Sequence, residues 1–292
     1  MNGTALGLVL VAAVVHAGWN LAAKRIGGGA VFVFLYYTVS AAACLPIAVT
    51  ALVVDAQRPQ WTWLAAAVVT AVCHVAYGVV LQRGYAVGDM SVVYPLARGT
   101  GPLLSVFAAV VLLGERPGVL GGVGALLVVA GVLVIGTAGS AARGDPAARR
   151  RARRAGVGYG ILTGATIAAY TLWDAFSVTT LAVPPLIYFS LGALLQSALL
   201  APYALRDRSR VRSLWRKYRT ETVLVGLLSP VAYLLVLFAM RLAPVSLVAP
   251  ARELSIVLGG LAAWRVLGEP NPLRRMSGAV VVLAGITAIA LA

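Results

Sequence analysis

The sequence predicts an all-α membrane protein whose ten transmembrane helices form two inverted five-helix repeats. Three observations predict it: a composition too apolar for water alone, ten apolar stretches of spanning length, and a self-similarity at a constant offset of 154 residues. Of the 292 residues, 61% are hydrophobic and 11% charged, with mean hydropathy +0.91. A soluble domain is about 45–50% apolar and about 25% charged. So few charged groups cannot cover one aqueous core of this size, and lipid must solvate much of the exterior.

An apolar stretch of about 17–25 residues crosses the hydrocarbon core, and that ruler marks the spans in order. Span 1 is Thr4–Ala23. Met1–Gly7 carries no basic residue, and Lys24 and Arg25 follow the first apolar run, which is not the layout of a secretory signal peptide. Spans 2 and 3, Ala30–Val54 and Trp61–Tyr85, hold Cys44 and Cys73, the only cysteines. Their spacing suggests neither a disulfide framework nor a zinc site. Spans 4 and 5 are Ser91–Leu113 and the glycine-rich Val119–Ala138. The second half supplies Gly156–Phe176, Pro185–Leu205, Thr222–Arg241, Val245–Leu267 and Leu273–Ala292 as spans 6 to 10. The polar interruptions 139–155 and 206–221 are too short to bury a core of their own. The organisation is therefore a first repeat over 1–138, a basic linker loop over 139–155 and a second repeat over 156–292.

The formal charge of +15 and pI near 10.7 resemble a nucleic-acid signature only in bulk. Most basic residues fall in short segments between spans, and no folded polar module carries them, so nucleic acid is not an expected partner. Lys24, Arg25, Arg83, the arginines from Arg143 to Arg154, the basic run from Arg206 to Arg219, and Arg265, Arg274 and Arg275 follow odd-numbered spans. Only Arg58, Arg116 and Arg241 follow even-numbered ones. Short cytoplasmic loops carry the positive excess and attract anionic lipid. The expected location is a bacterial-type cytoplasmic membrane, with both termini outside.

At the offset of 154, Trp19-Asn20 falls on Trp173-Asp174, Trp61 on Trp215, Ala97-Arg98 on Ala251-Arg252, and Leu113-Gly114-Glu115 on Leu267-Gly268-Glu269. Gly124-Ala125 likewise falls on Gly278-Ala279, and Ala130-Gly131 on Ala284-Gly285. Five spans per half is an odd number, so the second half enters the membrane the other way up. Inverted repeats are a frequent plan of secondary transporters, with the substrate near the midplane and access alternating as one half rocks on the other.

The tract SVVYPLARGTGPLLSVFAAVVLLGERP, echoed by VSLVAPARELSIVLGGLAAWRVLGEP, resembles the paired signature of the drug/metabolite transporter superfamily in its ten-helix EamA branch. The resemblance covers both halves. It implies a ten-helix inverted-repeat fold and export or uptake of small metabolites such as amino acids or amphipathic compounds. The opening HAGWNLAAKR looks like a subgroup linked to phosphonate use. Ten-helix relatives are commonly drawn with cytoplasmic termini, and here the charge pattern points the opposite way.

An ionisable side chain at the bilayer centre costs about 2.5–3.5 kcal/mol on insertion scales, which makes such residues functional candidates. Arg98 and Arg252 each lie about seven residues into their spans, roughly 10 Å deep at about 1.5 Å per residue. Entering from opposite faces, they can line one cavity; the alternative is that each caps carbonyls near Pro95, Pro102 or Pro250, or pairs with Glu253. The planar guanidinium fork suits carboxylate or phosphate, favouring an anionic or zwitterionic substrate over a lipophilic cation. If Glu253, next to Arg252, neutralises it, Arg98 is left as the principal anchor.

His16, Trp19 and Asn20 share one face of span 1, and Tyr170, Trp173 and Asp174 repeat that face on span 6. Both faces are expected to look inward, the alternative being an aromatic belt at headgroup depth. His74 and Tyr77 share a face of span 3, and Ser229 and Tyr233 flank Pro230 on span 8; helix packing competes with substrate contact there. Tyr94 joins the substrate-binding set. Asp174, Glu253 and His16 are the candidates for binding a coupling proton. Pro95, Pro102, Pro230 and Pro250 free backbone carbonyls and are candidate hinges. Glu115 and Glu269, closing spans 4 and 9 at the membrane surface, read as structural. The glycines of spans 5 and 10 read as close-packing seams, with a homodimer as one use for them.

Two other classes of function compete. An integral-membrane enzyme acting on a lipid-linked substrate needs convergent carboxylates, a histidine cluster or a metal set. Nine acidic residues and two histidines, mostly in loops, offer none, so no catalytic residue, metal or cofactor is expected. The other is a non-transporting subunit, of a lipid flippase for example. The reading taken forward is a secondary transporter, exporting a small polar, zwitterionic or anionic metabolite.

Overall fold

Where no water reaches the backbone, each N–H and C=O must be satisfied within the chain, and helices do this segment by segment. The computed structural model describes residues 1–23, 26, 29–56, 58–88, 90–136, 146–259 and 272–292, and no strand occurs among them. The helices are α1 (Gly3–Ala23), α2 (Gly29–Val54), α3 (Trp61–Val87), α4 (Met90–Leu112) and α5 (Gly118–Gly136) in the first half. In the second are α6 (Pro146–Thr179), α7 (Pro185–Ala204), α8 (Arg208–Met240), the short α9 (Val245–Ala251) and α10 (Pro272–Leu291). Hydroxyls inside the spans donate back along their own helices: Thr38 to the Phe34 carbonyl at 2.8 Å, Thr100 to that of Leu96 at 2.7 Å, Thr163 to that of Tyr159 at 2.7 Å. Each thereby hides a polar group from lipid.

Seven described helical stretches are long and apolar enough to cross a membrane; the last, Pro185–Met240, takes in α7 and α8 together. Large apolar side chains stand outward on them, Val54 at 76% and Val119 at 86% exposure among the extremes. Water would make such a surface aggregate, and acyl chains solvate it.

Packing between helices repeats itself. α1 lies on α8, α3 on α6, α2 on α8 and α3 on α7, while α2 also meets α7, α4 meets α9 and α5 meets α10. Advancing every label by five carries each of these pairs into another pair of the same set or into itself, as a two-fold relation between halves demands. The sense of that relation shows in α5 and α10. A Cβ on Gly124 would lie 2.7 Å from the Gly285 carbonyl, and one on Gly131 would lie 2.7 Å from that of Gly278. An early residue of one helix meets a late residue of the other, so the two run antiparallel. Gly124 and Gly278 are repeat equivalents, as are Gly131 and Gly285, and the pairs exchange partners. These four glycines form a close-packing seam within one chain.

Three predicted features differ. The interruptions expected as loops are largely helical where described. α6 begins at Pro146 and α8 at Arg208, because PAARRRARRA and RSRVRSLWRKYR are rich in good helix formers that extend the spans into water. Asp207 caps α8, accepting from Ser209 Oγ at 2.6 Å and from the Arg210 amide at 3.0 Å. Those bonds, the one from Ser209 foremost, hold its carboxyl below the usual carboxylate value, so the cap stays ionised at neutral pH. Tyr218, at φ −128° and ψ 28°, then kinks the helix where basic sequence gives way to apolar.

Span 9, expected to be continuous, breaks after Ala251. Residues 252–253 form a turn and helix resumes over 254–259. The amides of Glu253, Ser255 and Ile256 reach back three residues instead of four, to Pro250, Arg252 and Glu253. Pro250 supplies no amide and crowds the preceding turn, which forces this tighter winding. Glu115 proves structural in a specific way. Its carboxylate accepts from the Val245 and Ser246 amides, both at 2.9 Å, so the LGE ending of one half caps α9 of the other. Its repeat equivalent Glu269, with Arg265, Lys24 and Arg25, lies outside the described residues.

Candidate functional site

Helices from both halves line a cavity of about 220 Å³. α1, α2, α3 and α4 line it from the first half, and α6, α7, α8 and the turn after α9 from the second. α5 and α10 contribute no lining residue among those described and serve as scaffold.

Arg98 and Arg252 both line this space, with Glu253 between them at 1% exposure. Glu253 Oε2 lies 3.0 Å from Arg98 Nη2, whereas its Oε1 stays 3.9 Å from Arg252 Nε. Of the two pairings open to Glu253, the close one is with Arg98 and not with its neighbour Arg252. Neighbours in sequence diverge around a helical turn, and the broken ladder after Pro250 aims the carboxylate across at α4. Arg98 is the arginine held tightly, and Arg252 is the looser one. The triad carries a net positive charge toward the cavity.

His16, Trp19 and Asn20 also line the cavity, as do His74, Tyr77, Tyr94, Tyr170 and Tyr233. His16 and Trp19 meet edge to face at 4.7 Å, and Tyr170 stacks on His74 at 4.2 Å. The repeated face on α6 does not behave like that of α1, for only Tyr170 reaches the cavity. Trp173 turns to α3, donating from Nε1 to the Ala66 carbonyl at 3.0 Å, and does not line the cavity. Asp174, 2% exposed, sits just behind the wall. Its Oδ1 accepts from Thr70 Oγ1 at 2.7 Å and Tyr188 Oη at 2.5 Å, and its Oδ2 accepts from Tyr233 Oη.

Of the four prolines, Pro250 adjoins a break in the helical ladder, whereas α4 runs through Pro95 and Pro102 and the kink of α8 lies at Tyr218 and not at Pro230. Sequence reasoning missed Tyr36, Tyr37, Thr70, Tyr188 and Gln196, which also line the cavity. Thr70 stands four residues before His74, and Gln196 is a lone amide in an apolar span. Either could have been found by asking which polar side chains share a helix face. Among the described residues no group of three His, Cys, Asp or Glu could hold a metal ion.

The model of the EamA-like transporter family matches residues 3–137 and 154–291. The chain belongs to the EamA-like transporter family. As an EamA-like transporter it is a multi-pass membrane protein of the drug/metabolite transporter superfamily, with one family unit in each half. A crystal structure described only as that of a protein is similar over 100% of this EamA-like chain and 98% of its own, with TM-score 0.76 and 16% identity. That likeness shows the fold alone. No match was found among curated proteins.

Proposed function

We propose that this transporter moves a small zwitterionic or anionic metabolite, amino-acid-like or phosphonate-like, across the cytoplasmic membrane by alternating access between two inverted five-helix halves. The observation that carries the reading is the convergence of two repeat-related arginines on one cavity. The antiparallel α5–α10 seam and the exchange of glycine partners across it support inversion. The Met1 amine lies 3.5 Å from the Ile289 and Ala290 carbonyls, so α1 starts where α10 ends, as an even count of ten crossings requires. Export is the direction we propose, although the family resemblance covers uptake as well and nothing in the cavity encodes a direction.

Arg252 is the group we assign to the anionic end of the substrate. Its only ionic partner among the described residues is 3.9 Å away, and its planar fork suits carboxylate or phosphate oxygens. His16, Trp19, Asn20, Tyr77, Tyr94 and Tyr170 form the remaining wall. Arg98→Ala would also strip Glu253 of its close partner, so Arg252→Ala is the cleaner variant. Reconstituted protein assayed with radiolabelled amino acids and phosphonates is expected to move at least one class, and Arg252→Ala to lose about tenfold or more of it, the equivalent of one charged hydrogen bond. Unchanged flux in a folded Arg252→Ala variant would remove the assignment.

A further inference from the structure

The proton count around Asp174 does not balance with an ordinary carboxylate and a neutral histidine. His74 Nδ1 lies 2.9 Å from the Thr70 backbone carbonyl and 3.1 Å from Thr70 Oγ1. A carbonyl only accepts, so Nδ1 carries a hydrogen, and a neutral imidazole has no other. Yet Nε2 faces Tyr233 Oη at 3.2 Å, and the same Oη contacts Asp174 Oδ2. Two contacts in a row then share the single hydroxyl hydrogen of Tyr233. One of them would set lone pair against lone pair in a buried site, an arrangement that costs the desolvation of both groups.

One added proton completes the row, and it has two places to reside. On Nε2 it makes an imidazolium that donates to Tyr233 Oη, while Tyr233 donates to the Asp174 carboxylate. On Oδ2 it makes a neutral acid that donates to Tyr233 Oη, while Tyr233 donates to Nε2. The two forms hold the same number of protons and interconvert by a paired shift through one hydroxyl.

We propose that His74, Tyr233 and Asp174 form one proton-binding site, the coupling site of this transporter, which holds a single shared proton when the halves are closed on each other. The proposal rests on the alternating-access reading. Thr70 and His74 belong to the first half; Asp174, Tyr188 and Tyr233 belong to the second. Rocking one half on the other therefore parts Thr70 from Asp174 and His74 from Tyr233, so proton retention is tied to conformation. No ion pair reaches Asp174 among the described residues, so its only partners there are hydrogen-bond donors.

The groups facing the cluster are consistent with this. Tyr37 comes from α2, Cys73 from α3 and Tyr188 from α7, all within electrostatic reach of Asp174 and none of them cationic. Tyr170 on α6 lies in reach of Asp174 and also of Arg252, Arg98 and Glu253, and it separates the two clusters. Tyr77 on α3 and Tyr94 on α4 face Arg98, and His16 on α1 faces Arg98 and Arg252. Glu253 is engaged in the arginine triad, and His16 has no hydrogen bond to an acid among the described residues. Of the three proton candidates read from sequence, Asp174 remains, with His74 as its partner.

His16 and His74 are the only histidines, so ring-¹⁵N spectra of the labelled protein in lipid nanodiscs resolve both, with His74→Gln assigning them. Infrared difference spectra, assigned by Asp174→Asn, follow the Asp174 carboxyl. His74 and Asp174 are expected to change together in one pH step that takes up one proton. Tyr233→Phe is expected to split that step in two, and Tyr188→Phe, which removes a bond to Asp174 outside the relay, to leave it single. Independent titration of the two groups in the wild type, or an unsplit step in folded Tyr233→Phe, overturns the proposal. Substrate exchange in proteoliposomes without a pH gradient reports separately on transport, so a chain that exchanges substrate but shows no shared step fails only here.

Discussion

Glu253 has an arginine on either side and holds only one of them closely. The choice has consequences, because removing one member of a buried ion pair strands the other and costs about 3–5 kcal/mol. Glu253→Gln is therefore expected to destabilise by that order, through Arg98, whose Nη2 loses its partner at 3.0 Å. Thermal unfolding in mild detergent measures this, and a variant as stable as the wild type would show the pair to be incidental. Arg252→Ala, whose ionic contact is 3.9 Å, is the variant that separates binding from stability. The two arginines were legible in the sequence because the repeat places them in register. Which one Glu253 chooses was not, since Gly99 occupies the equivalent position in the first half and offers no counterpart. Adjacency along the chain left both arginines open to it, and a helical break invisible in the apolar pattern turns it to Arg98.

At the scale of elements, glycine spacing decides how closely helices approach. A Cβ on Gly131 would fall 2.6 Å from Val282 Cγ2 and 2.7 Å from the Gly278 carbonyl, and a backbone oxygen cannot rotate away. Gly131→Ala is expected to cost about 1–3 kcal/mol by overpacking. Gly122, with open space around it, is the control, and its change to alanine is expected to be neutral or to stabilise by about 0.5–1 kcal/mol. Equal unfolding temperatures for the two variants would contradict the seam. A third close contact, between α6 and α4, had no repeat to announce it: a Cβ on Gly164 would collide with the Thr100 side chain. Apolar runs located the helices well, because lipid thickness fixes their length. They said little about where helices end in water, since arginine and alanine propagate a helix as readily as leucine does.

At the scale of the whole molecule, the proposed alternating access requires two halves lying upside down to each other, for only then would Arg98 and Arg252 enter from opposite faces and meet. Five apolar stretches per half suggest this in the sequence, and the antiparallel α5–α10 contact agrees with it. Ala56 and Arg210 are repeat equivalents, both exposed beyond the ends of α2 and at the start of α8. With Cys44 and Cys73 replaced, a single cysteine at each position can be challenged in intact cells with a membrane-impermeant thiol reagent. Inversion predicts that the reagent reaches only one of the two, the Ala56→Cys protein if the basic loops face the cytoplasm. Labelling of both from the same side would contradict it, and the shared cavity with it.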